Sequence, residues 1–429
     1  IVADATRQMF SRGAKRVDDR NQGRAPGPAR LRPLEGAASS ATPARNLVIV
    51  AMESTGALYS SVYENAPYDS VSRPTMPRLR ALARRGLTVQ RAYTVIPHTS
   101  KAMVALMCGY YPRVSPWIAE ATYRGLPAPC LARLLSEQGF ATAFFQPAEE
   151  QYERRAQLVE ELGFRHFEGK ESLPGRGFDE SNYFGWEDDA MLKPALRWVD
   201  QQAGQRFLLS VLTLTAHHPY AVPRGFPSHK DTGKVELDDY LATLRYTDRF
   251  VSRLVEALRT RGLLDETLIV LVGDHGEGFG QHGRQQHDAV IYEEGLRVPM
   301  VLIGPGLEPG SSAEGLRQLI DVAPTVTRLL GFQGDRPFFG RDLQRSKGHE
   351  ELFTSCHYKD YCAALIGPRY KYIYHFDRSP AQVFDLELDP LEKKPLDAPS
   401  QQAAGLDLQG AIARMRRLQA ANNSIYDRQ

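Results

Sequence analysis

The sequence is poor in long apolar runs and in excess charge of either sign. Its longest apolar stretches fall well short of the roughly 20 residues that span a bilayer. Lysine and arginine number 53 against 51 aspartates and glutamates, which gives a formal net charge of +2. The composition and the absence of a long basic run give no reason to expect nucleic-acid binding. With 429 residues, the chain is long enough for one large domain and a smaller one.

Cysteine is also scarce, and the four that occur fall into two pairs. No C-x-x-C pair is present, which argues against a structural zinc site. Cys108 and Cys130 bracket a loop rich in proline and aromatic residues, and Cys356 and Cys362 flank a short loop-like segment. Two disulfides, Cys108–Cys130 and Cys356–Cys362, fit this pattern and an oxidising compartment. Four unpaired buried thiols are the alternative.

Three regions of the chain differ in their residue patterns. Residues 1–45 carry arginine, proline, glycine and alanine with little apolar periodicity, which predicts an N-terminal arm or tether. Within 46–345, buried strands alternate with amphipathic helices, which predicts an α/β domain with a mostly parallel central sheet and helices on both faces. The segments 370–374 and 382–386 form a hairpin pattern, so 346–429 is predicted to be a small C-terminal α+β subdomain.

Titratable side chains follow three of the predicted buried strands at the point where each strand ends. One apolar run leads into Asp274 and His275 within a glycine-rich stretch. Another ends at Glu53, and a third is followed by His217 and His218. Open α/β sheets bind their ligands beyond the carboxyl ends of the strands, so the repetition predicts one functional site. Taken singly, each group is also compatible with a helix cap or an ordinary loop.

Thr99 adds a hydroxyl to this set, because it precedes a helix predicted over 101–107. The N-terminus of a helix favours anions, including an alkoxide or a phosphate, although most threonines at such positions are only N-caps. Together, the four candidate metal ligands suit one divalent cation, with Mn²⁺, Zn²⁺ or Mg²⁺ favoured over Ca²⁺. These ligands are Glu53, Thr99, Asp274 and His275. Coordination to a metal is one of the few ways to activate a threonine hydroxyl.

Further cationic and titratable side chains complete the predicted site. Lys101 and His217 are predicted to be catalytic together with Thr99. His218, His282 and His287 are predicted to contact the substrate. Such groups would hold the oxygens of a phosphoryl group or protonate a leaving group.

Several segments after residue 45 resemble the sulfatase and alkaline-phosphatase superfamily. Gly-Asp-His-Gly-Glu followed by a second His-Gly is a fairly specific signature, and the late Phe-Asp-Leu-Glu-Leu-Asp-Pro is similar to the family's C-terminal subdomain. The segments that carry the resemblance are 46–53, 74–83, 99–112, 216–220, 273–277, 292–299 and 383–390. The resemblance implies an alkaline-phosphatase-like fold and a metal-dependent enzyme of this family.

The sequence departs from true sulfatases at two positions. Their formylglycine forms from a Cys or Ser in C/S-x-P-x-R, whereas Thr99 followed by Ser-Lys-Ala stands there, and no C-x-P-x-R occurs in the chain. Glu53 and Ser54 also stand where sulfatases tend to carry paired aspartates. A single glutamate and a threonine nucleophile are similar to lipoteichoic acid synthases and phosphoethanolamine transferases. Those enzymes are membrane-anchored, use one divalent metal, often manganese or zinc, and pass a phospholipid headgroup through a phosphothreonine.

The resemblance also implies roles for single residues. The four candidate metal ligands keep that role by position. His217, in a His-x-Pro context, would contact the phosphate or the leaving group. His282 matches the histidine of the second His-Gly, and His287 falls near a sulfatase lysine that contacts the substrate oxyanion.

We therefore expect a metal-dependent phosphotransferase or phosphodiesterase that works outside the cytoplasm, in a periplasm or at the outer face of an inner membrane. Its expected partner is a phospholipid headgroup of the phosphoglycerol or phosphoethanolamine type, or another phosphodiester, and no nucleic acid. Two alternatives stay open: a sulfuric-ester or phosphonate-ester hydrolase without formylglycine, and an inactive binding module. The chain begins at Ile1 rather than Met, so we expect an excised portion or a mature form, which does not exclude a membrane anchor upstream.

Overall fold

The structure is a computed structural model that describes residues 30–34, 43–63, 73–334 and 338–427. Its strands, numbered in chain order, are β1 Leu31–Pro33, β2 Asn46–Met52, β3 Gly86–Tyr93, β4 Ala141–Phe145, β5 His166–Glu168, β6 Glu180–Asn182, β7 Gly185–Trp186, β8 Phe207–Leu212, β9 Thr267–Gly273, β10 Gly278–Phe279, β11 Gln285–Gln286, β12 Arg297–Val298, β13 Met300–Ile303, β14 Ser311–Gln318, β15 Phe332–Gly334, β16 Leu352–Ser355, β17 Ala363–Ile366, β18 Tyr370–Tyr374 and β19 Gln382–Asp385. Its α-helices are α1 Pro77–Ala83, α2 Thr99–Cys108, α3 Leu131–Ser136, α4 Arg155–Leu162, α5 Asp189–Gln201, α6 Val235–Thr260, α7 Glu293–Leu296, α8 Val322–Leu329, α9 Ala398–Ala403 and α10 Leu408–Tyr426.

A mixed, mostly parallel sheet forms the centre of the fold, as the alternation of strands and helices predicts. Its strand order is β12-β3-β13-β9-β2-β8-β4-β5, with β14 beside β3. The strands β9, β2, β8, β4 and β5 run parallel to one another, whereas β13 is antiparallel to both of its neighbours. The α/β class is therefore confirmed, with antiparallel pairing confined to one side of the sheet.

Strand β2 shows why the sheet is covered on both faces. Successive side chains of a strand point to opposite faces. Leu47 and Ile49 belong to one apolar core, and Val48 and Val50 belong to the other. Helices α2 and α8 contribute to the first core, and α5 and α6 contribute to the second. A continuous apolar run is what a strand buried on both faces requires.

The C-terminal region forms a separate antiparallel sheet with the order β16-β17-β18-β19. The predicted hairpin is confirmed, since β18 and β19 pair in antiparallel register from Tyr370 opposite Asp385 to Ile373 opposite Gln382. Both predicted disulfides are present in the structure.

The predicted N-terminal arm falls largely outside the described residues, namely at 1–29 and 35–42. Its residues Leu31–Pro33 form strand β1, which pairs with β15. Within the parts of the chain that the structure describes, no helix has both the length and the apolar content needed to cross a membrane.

Candidate active site

The polar residues that follow β2 and β9 meet at the carboxyl edge of the sheet. The two strands are adjacent and parallel, so Glu53 and Asp274 emerge side by side. The backbone N–H of Asp274 donates to the carbonyl of Met52 at 3.2 Å, and the N–H of Ser54 donates to Asp274 Oδ1 at 3.0 Å. These bonds tie the two strand ends together. The prediction that titratable groups at successive strand ends share one site agrees with this arrangement.

Glycine at two positions of the turn after β9 lets this part of the backbone pack closely. A Cβ atom on Gly273 would collide with the carbonyl oxygen of Thr55. A Cβ atom on Gly276 would collide with the carbonyl oxygen of Glu294. The Gly-Asp-His-Gly segment therefore uses its flanking glycines for close backbone approach, with Asp274 and His275 held between them.

His275 directs one ring nitrogen toward three oxygen atoms. Its Nδ1 lies 3.0 Å from the carbonyl oxygen of Gly276, so we assign the proton to Nδ1 and the lone pair to Nε2. Nε2 lies 3.4 Å from Glu53 Oε1, 3.5 Å from Asp274 Oδ2 and 3.4 Å from Thr99 Oγ1. Burial lowers the pKa of His275 to about 3. The ring is therefore a neutral imidazole, the form that binds metals.

Two buried carboxylates face each other beside this imidazole. Burial and the neighbouring Glu53 raise the pKa of Asp274. Burial acts to raise the pKa of Glu53 as well, but the surrounding histidines outweigh it and lower that pKa. Asp274 Oδ2 is buried and has no hydrogen-bond partner in the described part of the chain. One atom each of Glu53, Asp274 and His275 lies within 4.8 Å of the other two, so the group fits a single divalent cation.

Thr99 is the first residue of α2, and its hydroxyl faces the same cluster. Oγ1 donates a hydrogen bond to Glu53 Oε2 at 3.1 Å. The N-cap position of α2 is occupied by His98, and no side chain makes a capping hydrogen bond there. Thr99 is therefore not an N-cap, the alternative that the sequence left open. The structure brings all four candidate metal ligands together.

Two of the predicted histidines extend this cluster. The ring of His287 stacks on His275 with a centroid distance of 4.2 Å, and the rings of His287 and His217 are 5.6 Å apart. Burial acts to lower the pKa of His287, but the carboxylate of Glu277 outweighs it and raises that pKa to about 10. His287 Nδ1 lies 3.3 Å from Glu277 Oε1. His217 Nδ1 lies 2.8 Å from the carbonyl oxygen of His218, which orients its ring.

Lys101, predicted to be catalytic, lies away from the cluster. Its side chain is fully buried, with Nζ 2.7 Å from Glu120 Oε2 and 3.1 Å from the carbonyl oxygen of Trp117. Two positions along a helix turn a side chain by about 200°, so Lys101 and Thr99 lie on opposite sides of α2. The structure therefore corrects this assignment: Lys101 is a structural ion-pair residue.

His282 and His218, predicted to contact the substrate, are engaged elsewhere. His282 Nδ1 lies 2.7 Å from Glu294 Oε1, and its Nε2 lies 2.9 Å from the carbonyl oxygen of Glu392. Its ring also stacks on Tyr292 at 3.8 Å. With both nitrogens bonded to protein groups, His282 links the segment after β9 to the C-terminal region. The carbonyl oxygen of His218 lies 2.8 Å from His217 Nδ1, and the ring of His218 packs edge-on against Tyr220 at a centroid distance of 5.5 Å.

Arg155 belongs to the site but has no signal in the sequence. The polar segment 148–163 predicts one continuous helix, yet α4 begins only at Arg155. Glu153 and Arg154 have left-handed backbone angles, with φ of 50° and 56°. This break in the helix directs the side chain of Arg155 inward, where it is 5% exposed.

Only one of the three guanidinium nitrogens of Arg155 forms a hydrogen bond within the described residues. Its Nη2 donates to Ser100 Oγ at 3.0 Å, while the buried Nε and Nη1 have no hydrogen-bond partner among the residues that the structure describes. Burial lowers its pKa, and the carboxylates of Glu153, Glu53 and Asp274 oppose that shift. Arg155 is thus a buried cation within electrostatic reach of the carboxylate cluster, a geometry suited to binding an oxyanion.

A chain of contacts ties the start of α2 to the C-terminal region. Glu153 accepts a hydrogen bond from Ser100 Oγ at 2.6 Å and lies 3.0 Å from His98 Nε2. The ring of His98 stacks on His357 with a centroid distance of 3.7 Å and an interplanar angle of 7°. His357 lies in the loop closed by the Cys356–Cys362 disulfide. Residues on both sides of Thr99 are therefore fixed by segments distant in sequence.

Comparisons with known proteins identify the family and the fold. A family model described as Sulfatase matches residues 45–332. Choline-sulfatase of Rhizobium meliloti is 24% identical over 89% of this chain and 91% of that protein. Lipoteichoic acid synthase 1 of Bacillus subtilis is 27% identical over 54% of this chain, but the match spans only 37% of that protein. The crystal structure of the lipoteichoic acid synthase LtaP from Listeria monocytogenes matches with a TM-score of 0.71 at 20% identity, covering 89% of this chain and 92% of that chain.

Proposed function

The chain belongs to the sulfatase family, and from that premise we propose that it is a divalent-metal-dependent phosphotransferase or phosphodiesterase with Thr99 as its nucleophile. The observation that carries the proposal is the position of the Thr99 hydroxyl, 3.1 Å from Glu53 Oε2 and 3.4 Å from His275 Nε2. A hydroxyl held in a ligand set of this kind is suited to attack phosphorus without a formylglycine.

Glu53, Asp274 and His275 would hold the metal, with Thr99 Oγ1 as a fourth ligand. When bound, a divalent ion supplies a Lewis acid that activates the hydroxyl and neutralises charge on the phosphoryl group. His275 contributes a neutral Nε2, because its Nδ1 proton is committed to the carbonyl of Gly276. Glu53 Oε2 accepts the hydrogen bond of Thr99 and so orients the hydroxyl.

The reaction that we propose has two displacements. Thr99 Oγ1 gives up its proton and attacks phosphorus, and the bond from phosphorus to the departing oxygen breaks as the new O–P bond forms. That oxygen takes up a proton and leaves as an alcohol, so the net proton transfer is from Thr99 to the departing alcohol. The resulting phosphothreonine keeps the second ester group of the diester, and an acceptor alcohol or water then attacks its phosphorus, which releases the esterified phosphoryl group and restores the Thr99 hydroxyl. A transfer enzyme and a hydrolase differ only in this second nucleophile.

Cationic side chains around the cluster would bind the transferred group. Nε and Nη1 of Arg155 offer two N–H donors at buried positions, suited to the non-bridging oxygens of a phosphate. The stacked His287 adds positive charge beside the neutral His275. We assign His217 to the leaving group, because its ring lies 5.6 Å from that of His287 and, unlike the ring of His275, is only half-buried. Such groups stabilise charge that develops in the transition state.

We propose a phospholipid headgroup as donor, of the phosphoglycerol or phosphoethanolamine type, and a reaction outside the cytoplasm. Similarity to a lipoteichoic acid synthase supports the substrate class. The two disulfides support the compartment, because such bonds persist in oxidising environments.

A sulfuric-ester hydrolase is the second candidate. The match to choline-sulfatase, which spans 91% of that protein, favours it. The two functions separate in one assay, in which the rates for p-nitrophenyl sulfate and for bis(p-nitrophenyl) phosphate are measured on one preparation. We expect the phosphodiester to be the faster substrate, and a faster sulfate ester would favour the second candidate.

The nucleophile is tested by Thr99→Ala. Turnover of bis(p-nitrophenyl) phosphate should fall by at least about 10³-fold, because removing a nucleophile removes the covalent route. Mass spectrometry of wild-type protein quenched during turnover should locate a p-nitrophenyl phosphoryl group on Thr99. Thr99→Ser keeps a hydroxyl and should retain part of the activity, and Thr122→Ala in an exposed loop should leave it unchanged. Undiminished turnover by Thr99→Ala would overturn the proposal.

A further inference from the structure

The hydroxyl of Ser100, the residue after Thr99, bridges two side chains of opposite charge. Its Oγ donates a hydrogen bond to Glu153 Oε2 at 2.6 Å and accepts one from Arg155 Nη2 at 3.0 Å. A serine hydroxyl has one proton and two lone pairs, so it can form both bonds at once. Ser100 is fully buried, so this bridge between the two charges forms inside the protein.

Both oxygens of Glu153 contact groups other than the nearby Arg155. Oε1 lies 3.0 Å from His98 Nε2, and Oε2 accepts the proton of Ser100. Within the described residues, none of the Arg155 nitrogens bonds to Glu153, since Nη2 donates to Ser100 and the other two have no partner. The two charges still act on each other. Burial lowers the pKa of Arg155, and Glu153 opposes that shift more than any other charge does.

An arginine beside a carboxylate commonly forms a bidentate ion pair, which uses two of its N–H groups. Such a pair would take up the positive charge of Arg155. Because Ser100 bonds to both partners, it satisfies Glu153 Oε2 and Arg155 Nη2 without bringing them together. Nε and Nη1 of Arg155 thus have no partner in the described part of the chain and stay available to an oxyanion.

The backbone before α4 supports this arrangement. In a regular helix, the side chains of Glu153 and Arg155 would point about 200° apart. The left-handed angles at Glu153 and Arg154, with φ of 50° and 56°, allow both charged side chains to reach one serine. Such angles cost free energy in residues other than glycine. The strain lies where it brings a carboxylate and a guanidinium to the same hydroxyl.

We propose that Ser100 is a positioning residue that keeps Arg155 out of an ion pair with Glu153 and so holds its N–H groups ready for the phosphoryl oxygens. The inference rests on the proposed function, in which Arg155 binds the group that Thr99 attacks. It adds a role for the residue next to the nucleophile, and Ser100 acts on the transferred group only through Arg155.

The first test removes the bridging hydroxyl. In Ser100→Ala, Glu153 Oε2 and Arg155 Nη2 lose the partner that they share, so the guanidinium should move toward Glu153 and away from the oxyanion. We expect inorganic phosphate to bind about 10- to 100-fold more weakly, the scale of a lost hydrogen bond to a charged group. Isothermal titration calorimetry on the full chain with added Mn²⁺ measures the dissociation constant. An unchanged affinity would overturn the inference.

Glu153→Gln separates this role from a purely structural one. The glutamine oxygen can still accept from His98 Nε2, but an uncharged amide forms no ion pair with Arg155. The substitution should therefore raise phosphate affinity by a factor about threefold larger in Ser100→Ala than in wild-type protein, where there is no such pair to break. Equal factors in the two backgrounds, or a further loss in the double variant, would overturn the inference.

Two more variants control for packing and for the loss of a serine. Ser100→Cys fills a similar space with a much weaker hydrogen-bonding group and should weaken phosphate binding in the same direction. Ser136→Ala removes a hydroxyl that also accepts from an arginine, Arg165 Nε at 3.3 Å, but at the end of α3 outside the site. It should leave phosphate affinity unchanged. Thermal melting of every variant verifies that the fold is retained.

Turnover of bis(p-nitrophenyl) phosphate is measured on the same preparations. Phosphate affinity that falls in Ser100→Ala and recovers in the double variant, while turnover is undiminished by Thr99→Ala, would contradict the proposed reaction and uphold the role of Ser100. Turnover that depends on Thr99, with a phosphate affinity that is insensitive to Ser100→Ala, would contradict the role of Ser100 alone.

Discussion

Two buried clusters in this protein each contain a pair of carboxylates. They differ in the charge of the third side chain, which is neutral in one cluster and positive in the other. At the carboxyl edge of the sheet, Glu53 and Asp274 face a neutral imidazole. At the junction with the C-terminal sheet, Glu293 and Glu392 face Lys371, whose Nζ lies 3.2 Å from Glu293 Oε1 and 2.9 Å from Glu392 Oε1. Both clusters are almost fully removed from water.

The difference distinguishes a cluster completed by a cation of the chain from one suited to bind a cation. The junction carries its own cation, so its charges are largely compensated within the chain. The site has no such cation among its ligands and leaves Asp274 Oδ2 without a hydrogen-bond partner in the described residues. Burying the carboxylate of Asp274 beside that of Glu53 costs free energy, as the raised pKa of Asp274 indicates, so the fold holds this arrangement at the expense of its own stability. A bound divalent ion would remove that cost, and binding and stability become linked.

The comparison is tested most strongly by Asp274→Asn. Loss of one carboxylate should lower activity by at least about 10⁴-fold, since metal binding supplies several kcal/mol to this type of reaction. Without metal, the same variant should melt at a higher temperature than wild-type protein, because the repulsion with Glu53 is gone. The asparagine oxygen can still accept the N–H bonds of Ser54 and His275. Differential scanning calorimetry with EDTA and with Mn²⁺ measures both effects.

Asp248→Asn provides the matched control for that experiment. Asp248 is also buried, and its carboxylate accepts backbone N–H bonds from Arg78 and Leu79 at the start of α1. It lies outside the site, so the shift in melting temperature produced by Mn²⁺ should persist in this variant. If Asp274→Asn lowered the melting temperature in EDTA, the cluster would be an ordinary stabilising one.

The second prediction concerns the junction, where Lys371→Met should destabilise the fold by about 3–5 kcal/mol. Removing one member of a buried ion pair leaves the partner charges uncompensated, and here two carboxylates lose the same cation. Urea denaturation measures the loss of unfolding free energy. Arg414→Met breaks the half-exposed pair with Glu351 and should cost at most about 1 kcal/mol. Equal losses in the two variants would contradict the role given to Lys371.

The site residues that could be predicted are those that lie next to a strand or helix recognisable in the sequence. Glu53 and Asp274 lie directly after apolar runs, so the topology of a parallel sheet alone brings them together. Thr99 was predicted from the start of a helix, and the structure gives it that place. The pattern of strands and helices therefore predicted both the fold class and the candidate metal ligands. Lys101 was predicted wrongly, although the phase of α2 already places it opposite Thr99.

The residues that were missed depend on geometry that no local pattern encodes. Arg155 enters the site only because Glu153 and Arg154 take left-handed backbone angles and break the predicted helix. Neither is glycine or asparagine, so composition gave no warning. His98 meets His357 across the interface with the C-terminal region, a contact set by tertiary packing. His282 matches a family motif, yet its ring nitrogens contact Glu294 and Glu392 at the junction between the two regions.

The junction also yields the smallest predicted effect, a pH dependence that Glu392→Gln should remove. Burial raises the pKa of Glu392 to about 7, with Lys371 opposing and Glu293 reinforcing that shift. The folded state then binds a proton more readily than the unfolded state, whose carboxyl titrates near its usual value of 4.5. Stability from this group is thus present below about pH 4.5 and is lost as the pH rises through about 7.

Urea denaturation at about pH 5 and about pH 8 should show wild-type protein losing on the order of 1–2 kcal/mol at the higher pH through this group. Glu392→Gln is neutral at both values and should reduce that loss, while the amide oxygen still accepts the N–H of Glu293. Glu351→Gln, in the half-exposed pair with Arg414, should leave the loss unchanged. An undiminished pH dependence in Glu392→Gln would mean that Lys371 compensates both carboxylates fully. The junction would then differ from the site even more than the structure implies, since none of its charge would be left uncompensated.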